Sequence, residues 1–288
     1  MIGSIHGTSS GTEALTPRTR PRLFRGLALA VAFGIVAVMT IVWALGQSRF
    51  SGAVPTGVSG TSWELIALSV LGIAALVVAG TVEERFATVG LVTVGTFAVL
   101  GGIVENAFLP AVGMVLLGGG IATITLLPRD RIRETGVAWA TALLLLGATT
   151  ASLVGAIGVE PATLRPLGGV LLFLGLLAFP LWTGVGAIDA AVGTFVAAFL
   201  AGIGLQAPAL TGAVLLSGLS VVGVPLLLVA IGAGAAVAAI ASLVRRSRYT
   251  PALGGGLVLV AGVPTSLAAA AAVVLGVVAI SLRGGEDV

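Results

Sequence analysis

Residues 167–244 read LGGVLLFLGLLAFPLWTGVGAIDAAVGTFVAAFLAGIGLQAPALTGAVLLSGLSVVGVPLLLVAIGAGAAVAAIASLV, 78 residues with one formal charge, Asp189. A soluble domain carries about 25% charged residues and needs a polar face on each surface helix. A run this long without one has to lie in lipid, folded into several helices of about 20 residues. The rest of the chain agrees: of 288 residues, 58% are hydrophobic and 9% charged, and the mean hydropathy is +1.19. The expected fold class is all-α, a polytopic transmembrane helix bundle of about nine helices (range nine to eleven) with its N-terminus inside. The expected organisation is a polar cytoplasmic tail over residues 1–25, one helical membrane domain over 26–282 and a short polar tail over 283–288. The expected location is the cell membrane, crossed many times.

Working outward, residues 18–25 hold Arg18, Arg20, Arg22 and Arg25 ahead of the apolar run Gly26–Gly46. That run is longer than the apolar part of a signal peptide and many spans follow, so it is read as an uncleaved first helix. Further spans are expected at Trp63–Val82, Ala87–Leu109, Ala111–Leu127, Gly136–Gly158, Leu167–Gly186 and Ala190–Leu205. An inside N-terminus puts the basic connector with Arg129, Arg131 and Arg133 inside, as positively charged loops prefer. Trp43, Trp63, Trp139 and Trp182 then all fall at span ends, where an amphipathic indole is favoured. Glu83-Glu84 and the 128–135 connector are read as solvated orientation signals.

Beyond Pro166 three proline-led units share a pattern, at residues 166–207, 208–250 and 251–288, and suggest a tandem repeat. Within them Pro180, Pro225 and Pro264 are candidate helix breaks. Leu210–Val244 exceeds one bilayer thickness at 1.5 Å per residue. A single kinked crossing is preferred to a hairpin because it keeps Arg245, Arg246 and Arg248 inside. Leu253–Leu282 is too short for two full spans and is expected to cross once, which would leave the C-terminus outside.

The composition excludes several chemistries. No cysteine is present, which rules out disulfides, thiolate metal sites and iron–sulfur clusters. The single histidine, His6, lies in the polar tail, so no histidine-ligated haem, copper or zinc centre is expected within the bilayer, and no cofactor or metal is assigned. All 14 basic residues are arginine; with so much Gly, Ala and Val this reads as codon bias of a GC-rich prokaryotic genome. The basic pI arises from few charges and implies no nucleic-acid partner. The expected partners are the lipid bilayer and either a second copy or a partner membrane subunit.

Few polar groups remain for chemistry. Asp189 is either a proton or cation site at membrane depth or, as the flanking glycines favour, a helix cap at the inner surface. Glu105 and Asn106 close the third span, where they could hydrogen-bond a ligand in an outward-facing cavity or simply polarise a helix end. No nucleophile, base and oxyanion site come together, so no enzyme is expected. The minimal reading is a small permease or transporter; the alternative is a non-enzymatic membrane subunit or scaffold.

Overall fold

The computed structural model describes residues 19–47, 60–104, 108–127, 132–206, 226–262 and 264–282. Among them are ten helices and no strand. They are α1 (Thr19–Gln47), α2 (Gly60–Ala79), α3 (Arg85–Ile103), α4 (Phe108–Leu126), α5 (Ile132–Ala156), α6 (Pro161–Thr183), α7 (Ala187–Gln206), α8 (Leu226–Arg245), α9 (Tyr249–Ala261) and α10 (Leu267–Ser281). Six of them contain segments long and apolar enough to cross a membrane: Pro21–Val42, Arg85–Ile103, Phe108–Leu126, Gly136–Ala156, Pro161–Thr183 and Leu227–Arg245. The apolar segments of α2 and α7, Trp63–Ala79 and Ala187–Gly202, are shorter.

Helices that follow one another in the chain alternate in direction, and glycines set their separation. A Cβ on Gly72 would lie 2.7 Å from the Gly95 carbonyl oxygen and one on Gly95 2.8 Å from that of Gly72, which joins α2 to α3. Gly90 and Gly118 make the same reciprocal contact between α3 and α4, and Gly193 and Gly234 between α7 and α8. Lipid chains are as apolar as leucine, so helices in a bilayer associate by close van der Waals contact and not by hydrophobic transfer. Backbone against backbone at glycine provides that contact.

The structure departs from expectation after α8. The stretch Leu253–Leu282, expected as one crossing, falls in two helices of 13 and 15 residues, Tyr249–Ala261 and Leu267–Ser281. Gly254 lies against the Gly276 carbonyl, Ala279 and Ile280, while Gly276 lies against Val258 and Leu257, so the two run antiparallel as a hairpin. At 1.5 Å per residue they are about 20 and 22 Å long, short of the ~30 Å hydrocarbon core. The hairpin therefore returns to the side it came from, and the end of α10 lies with the start of α9, which corrects the expectation that the chain finishes on the opposite side. Charge and hydropathy could not reveal this, because a run of about 30 apolar residues fits one tilted crossing equally well.

Short helices leave backbone polar groups inside the bilayer, and lipid cannot satisfy them. The hairpin meets this constraint by lying at the centre of the bundle: every residue of α10 is buried. It is covered by α1, α2, α3, α4, α5 and α9. A run of five alanines, 268–272, lets these neighbours come close. Gly119 of α4 leaves room for Val274, and Gly101 of α3 for Leu267.

The break itself follows from its residues. Gly262 takes φ +60, a region that favours glycine, and ends α9. Pro264 has no N–H, so the Val260 carbonyl four residues earlier loses its helical donor. Thr40 of α1 replaces that donor, its hydroxyl donating to the Val260 oxygen at 3.1 Å. Ser266 caps the start of α10 by accepting from the Ala269 N–H at 3.3 Å. At the other expected breaks the outcome differs. Helix α6 continues through Pro180 and ends three residues later at Thr183. Pro225 lies outside the described residues.

These contacts orient the whole bundle. Helix α1 runs parallel to α9, because Phe33 lies against Gly256 and Thr40 against Val260. Helix α4 runs parallel to α10, and α6 parallel to α8. One end of the bundle thus collects Arg20, Arg22, Arg25, Arg85, Arg133, Arg245, Arg246 and Arg248; Arg165 stands at the other, its Nε donating to the Gly155 carbonyl at 3.3 Å. We call the first the arginine end.

Candidate functional site

Polar side chains inside the bundle are mostly self-contained. The hydroxyls of Thr141, Thr149 and Ser281 are buried and donate to carbonyls one turn back in their own helices, a bond that hides a hydroxyl from lipid. Thr40 and Ser242 instead reach across to other helices. The polar cluster that links helices lies at the arginine end, where α6, α7 and α8 meet.

Helix α8 ends in a Schellman motif, with Arg248 N–H on the Leu243 carbonyl and Ser247 N–H on that of Val244. Ser247 takes the left-handed position at φ 58. This ending aims Arg245 and Arg246 at the connection between α6 and α7. Arg246 donates through Nη1 to the Thr183 carbonyl at 2.9 Å and through Nη2 to that of Gly184. The Ser242 hydroxyl donates to the same Gly184 oxygen at 3.2 Å. The last carbonyls of α6, which have no partner within the helix, are satisfied by side chains of α8.

Asp189 stands on the other bank. It is the third residue of α7, is 2% exposed, and accepts through Oδ2 from the Gly186 N–H at 3.2 Å and from Arg245 Nη2 at 2.7 Å. The backward bond to the residue preceding the helix is the acidic half of a capping box, and a carboxylate in the first turn complements the helix dipole. The charge is not isolated: its partner Arg245 stands at the end of the bundle with its side chain 47% exposed. A Cβ on Gly186 would lie 2.8 Å from Arg245 Nη2 and 3.3 Å from Asp189 Oδ2, so a larger residue there would push the Arg245 side chain aside.

Asp189 therefore sits in a helix first turn at the arginine end, next to a partner that sequence reading did not supply. Charge counting places both groups on one side, but nothing in a separation of 56 residues links them. Glu105 and Asn106 lie outside the described residues. Trp182 closes α6 as expected, but its ring is turned inward, packed edge-on against Phe179 with centroids 6.4 Å apart. Among the described residues no three His, Cys, Asp or Glu side chains gather to hold a metal ion.

A helix bundle with a core hairpin too short to cross, apolar outside and charged at its ends, defines a multi-pass integral membrane protein. The chain matches, over residues 23–281, the model of an integral membrane family of unknown function (DUF8068), and it belongs to that family. No curated protein and no solved structure matches it.

Proposed function

We propose that the protein is a small, non-enzymatic permease of the cell membrane. The observation that carries this reading is the α9–α10 hairpin, a pair of helices of 13 and 15 residues packed among longer ones. Interrupted helices at membrane depth are tolerated where protein or a water-filled cavity meets their freed backbone groups, and transporters build binding sites from them. Thr265, at the hairpin tip, is exposed, while Gly262 and Pro264 on the same turn are buried. The turn thus offers one hydroxyl outward from an otherwise apolar centre. Helices that can change their relation to this tip would open it to one face of the membrane and then the other.

The cysteine-free sequence makes the test direct. Thr265→Cys is the only thiol in its variant, and a membrane-impermeant maleimide is applied to sealed vesicles of both orientations. A permease that alternates its access exposes this position to each face in turn, and labelling is expected from both sides. Labelling confined to one face removes the reading. A second reading, as a membrane subunit of a larger complex or a homo-oligomer, is supported by the exposed apolar flank of α7, where Ile188, Phe195 and Phe199 are 67%, 71% and 57% exposed.

A further inference from the structure

Helix α7 is the outlier of the bundle. Among the described residues it packs extensively against α8 alone, and ten of the sixteen residues 187–202 are exposed. Its contact with α8 is centred on Gly193 and Gly234, where the two backbones approach closely. Lipid supplies no hydrophobic force to hold such a helix, so the polar tie at its first turn acquires weight. That tie is the Asp189–Arg245 pair. The chain enters α7 through Gly184-Val185-Gly186, with Gly184 in the left-handed region at φ 69.

We propose that Gly184–Gly186 is a hinge for α7 and that Arg245 is its lock. The two adjacent arginines divide the work. Arg246, together with Ser242, holds the last carbonyls of α6, so that bank stays with α8. Arg245 holds Asp189, the first turn of the helix that moves. Release at the end of the bundle strands no charge in its interior: the Arg245 side chain is already half exposed, and Asp189 becomes exposed beside it as α7 leaves. At the Gly193–Gly234 contact the only side chains that enter the glycine notches are the methyls of Ala197 and Ala238, so little has to repack for α7 to tilt on α8. The inference concerns motion and stands whether or not the protein transports anything.

The experiment places spin labels at Leu174→Cys on α6 and Phe199→Cys on α7, both exposed positions, in the full chain in lipid nanodiscs, and measures their separation by pulsed dipolar spectroscopy. With the native lock one narrow distribution is expected. Asp189→Asn, which keeps an acceptor for the Gly186 N–H but loses the charge, and Arg245→Gln should each add a second, longer population. Asp189→Glu, which keeps the charge, should stay narrow. An unchanged distribution in both neutral variants overturns the proposal. So does failure of Asp189→Asn to fold, because a lock that opens cannot be what the bundle needs in order to stand.

Discussion

The hydroxyl of Thr40 does for Val260 what the amide of residue 264 would have done had that residue not been proline. Thr40→Val keeps the shape and removes the donor, leaving a part-buried carbonyl without this partner, a loss of about 1–3 kcal/mol. Thermal unfolding in detergent should show a lower midpoint for Thr40→Val and little change for Thr150→Val, whose hydroxyl is exposed and bonded within its own helix. An equal response from both would mean that the cross-helix bond does not hold the hairpin tip. At this scale sequence reading reached half of each arrangement. Pro264 was legible as a break, because proline lacks a donor wherever it stands. Thr40 was not, since one threonine in an apolar helix carries no mark of the carbonyl it will meet 220 residues later. Asp189 was legible as a helix-start acid from its glycine neighbours, and its arginine was not.

Among the helices the glycines carry the detail. Gly118, Gly119 and Gly120 are adjacent in sequence and alike on inspection, yet they face different surroundings. Gly118 abuts the Gly90 carbonyl, Gly119 abuts Val274 of the central helix, and nothing lies within 4 Å of a Cβ on Gly120. Gly119→Ala should therefore destabilise the bundle by about 1–3 kcal/mol through overpacking. Gly120→Ala should be neutral or slightly stabilising, alanine being the better helix former. Thermal midpoints of the two variants check this, and a reversed order would show that α4 is rotated from the position described. Close packing by small residues could be foreseen from composition. Which glycine meets which neighbour could not, because low-complexity helices of Gly, Ala, Val and Leu present nearly the same pattern on every face. For the same reason helix existence was read well and helix ends less so: α3 stops at Ile103, where a span reaching Leu109 was expected.

For the whole molecule, class and approximate helix number were legible because the bilayer forces them: apolar runs of about 20 residues admit few other folds. The turn-back of the last segment was hidden, as its length suits one crossing or two halves. The arrangement predicts that reporters fused before Met1 and after Val288 read out on the same side of the membrane, since the start of α1 and the end of α10 share the arginine end. Protease protection in oriented vesicles decides this; opposite sides for the two reporters would reduce the hairpin to a single crossing.

The most enclosed helix is also translated after every helix that surrounds it. Neither α9 nor α10 is as long as a bilayer core is thick, so the contacts that α1–α5 make with α10 can form only once this late segment has been delivered among them. Assembly is thus set by the order of synthesis, and a ribosome that stops after Arg248 would release a ring with no axle.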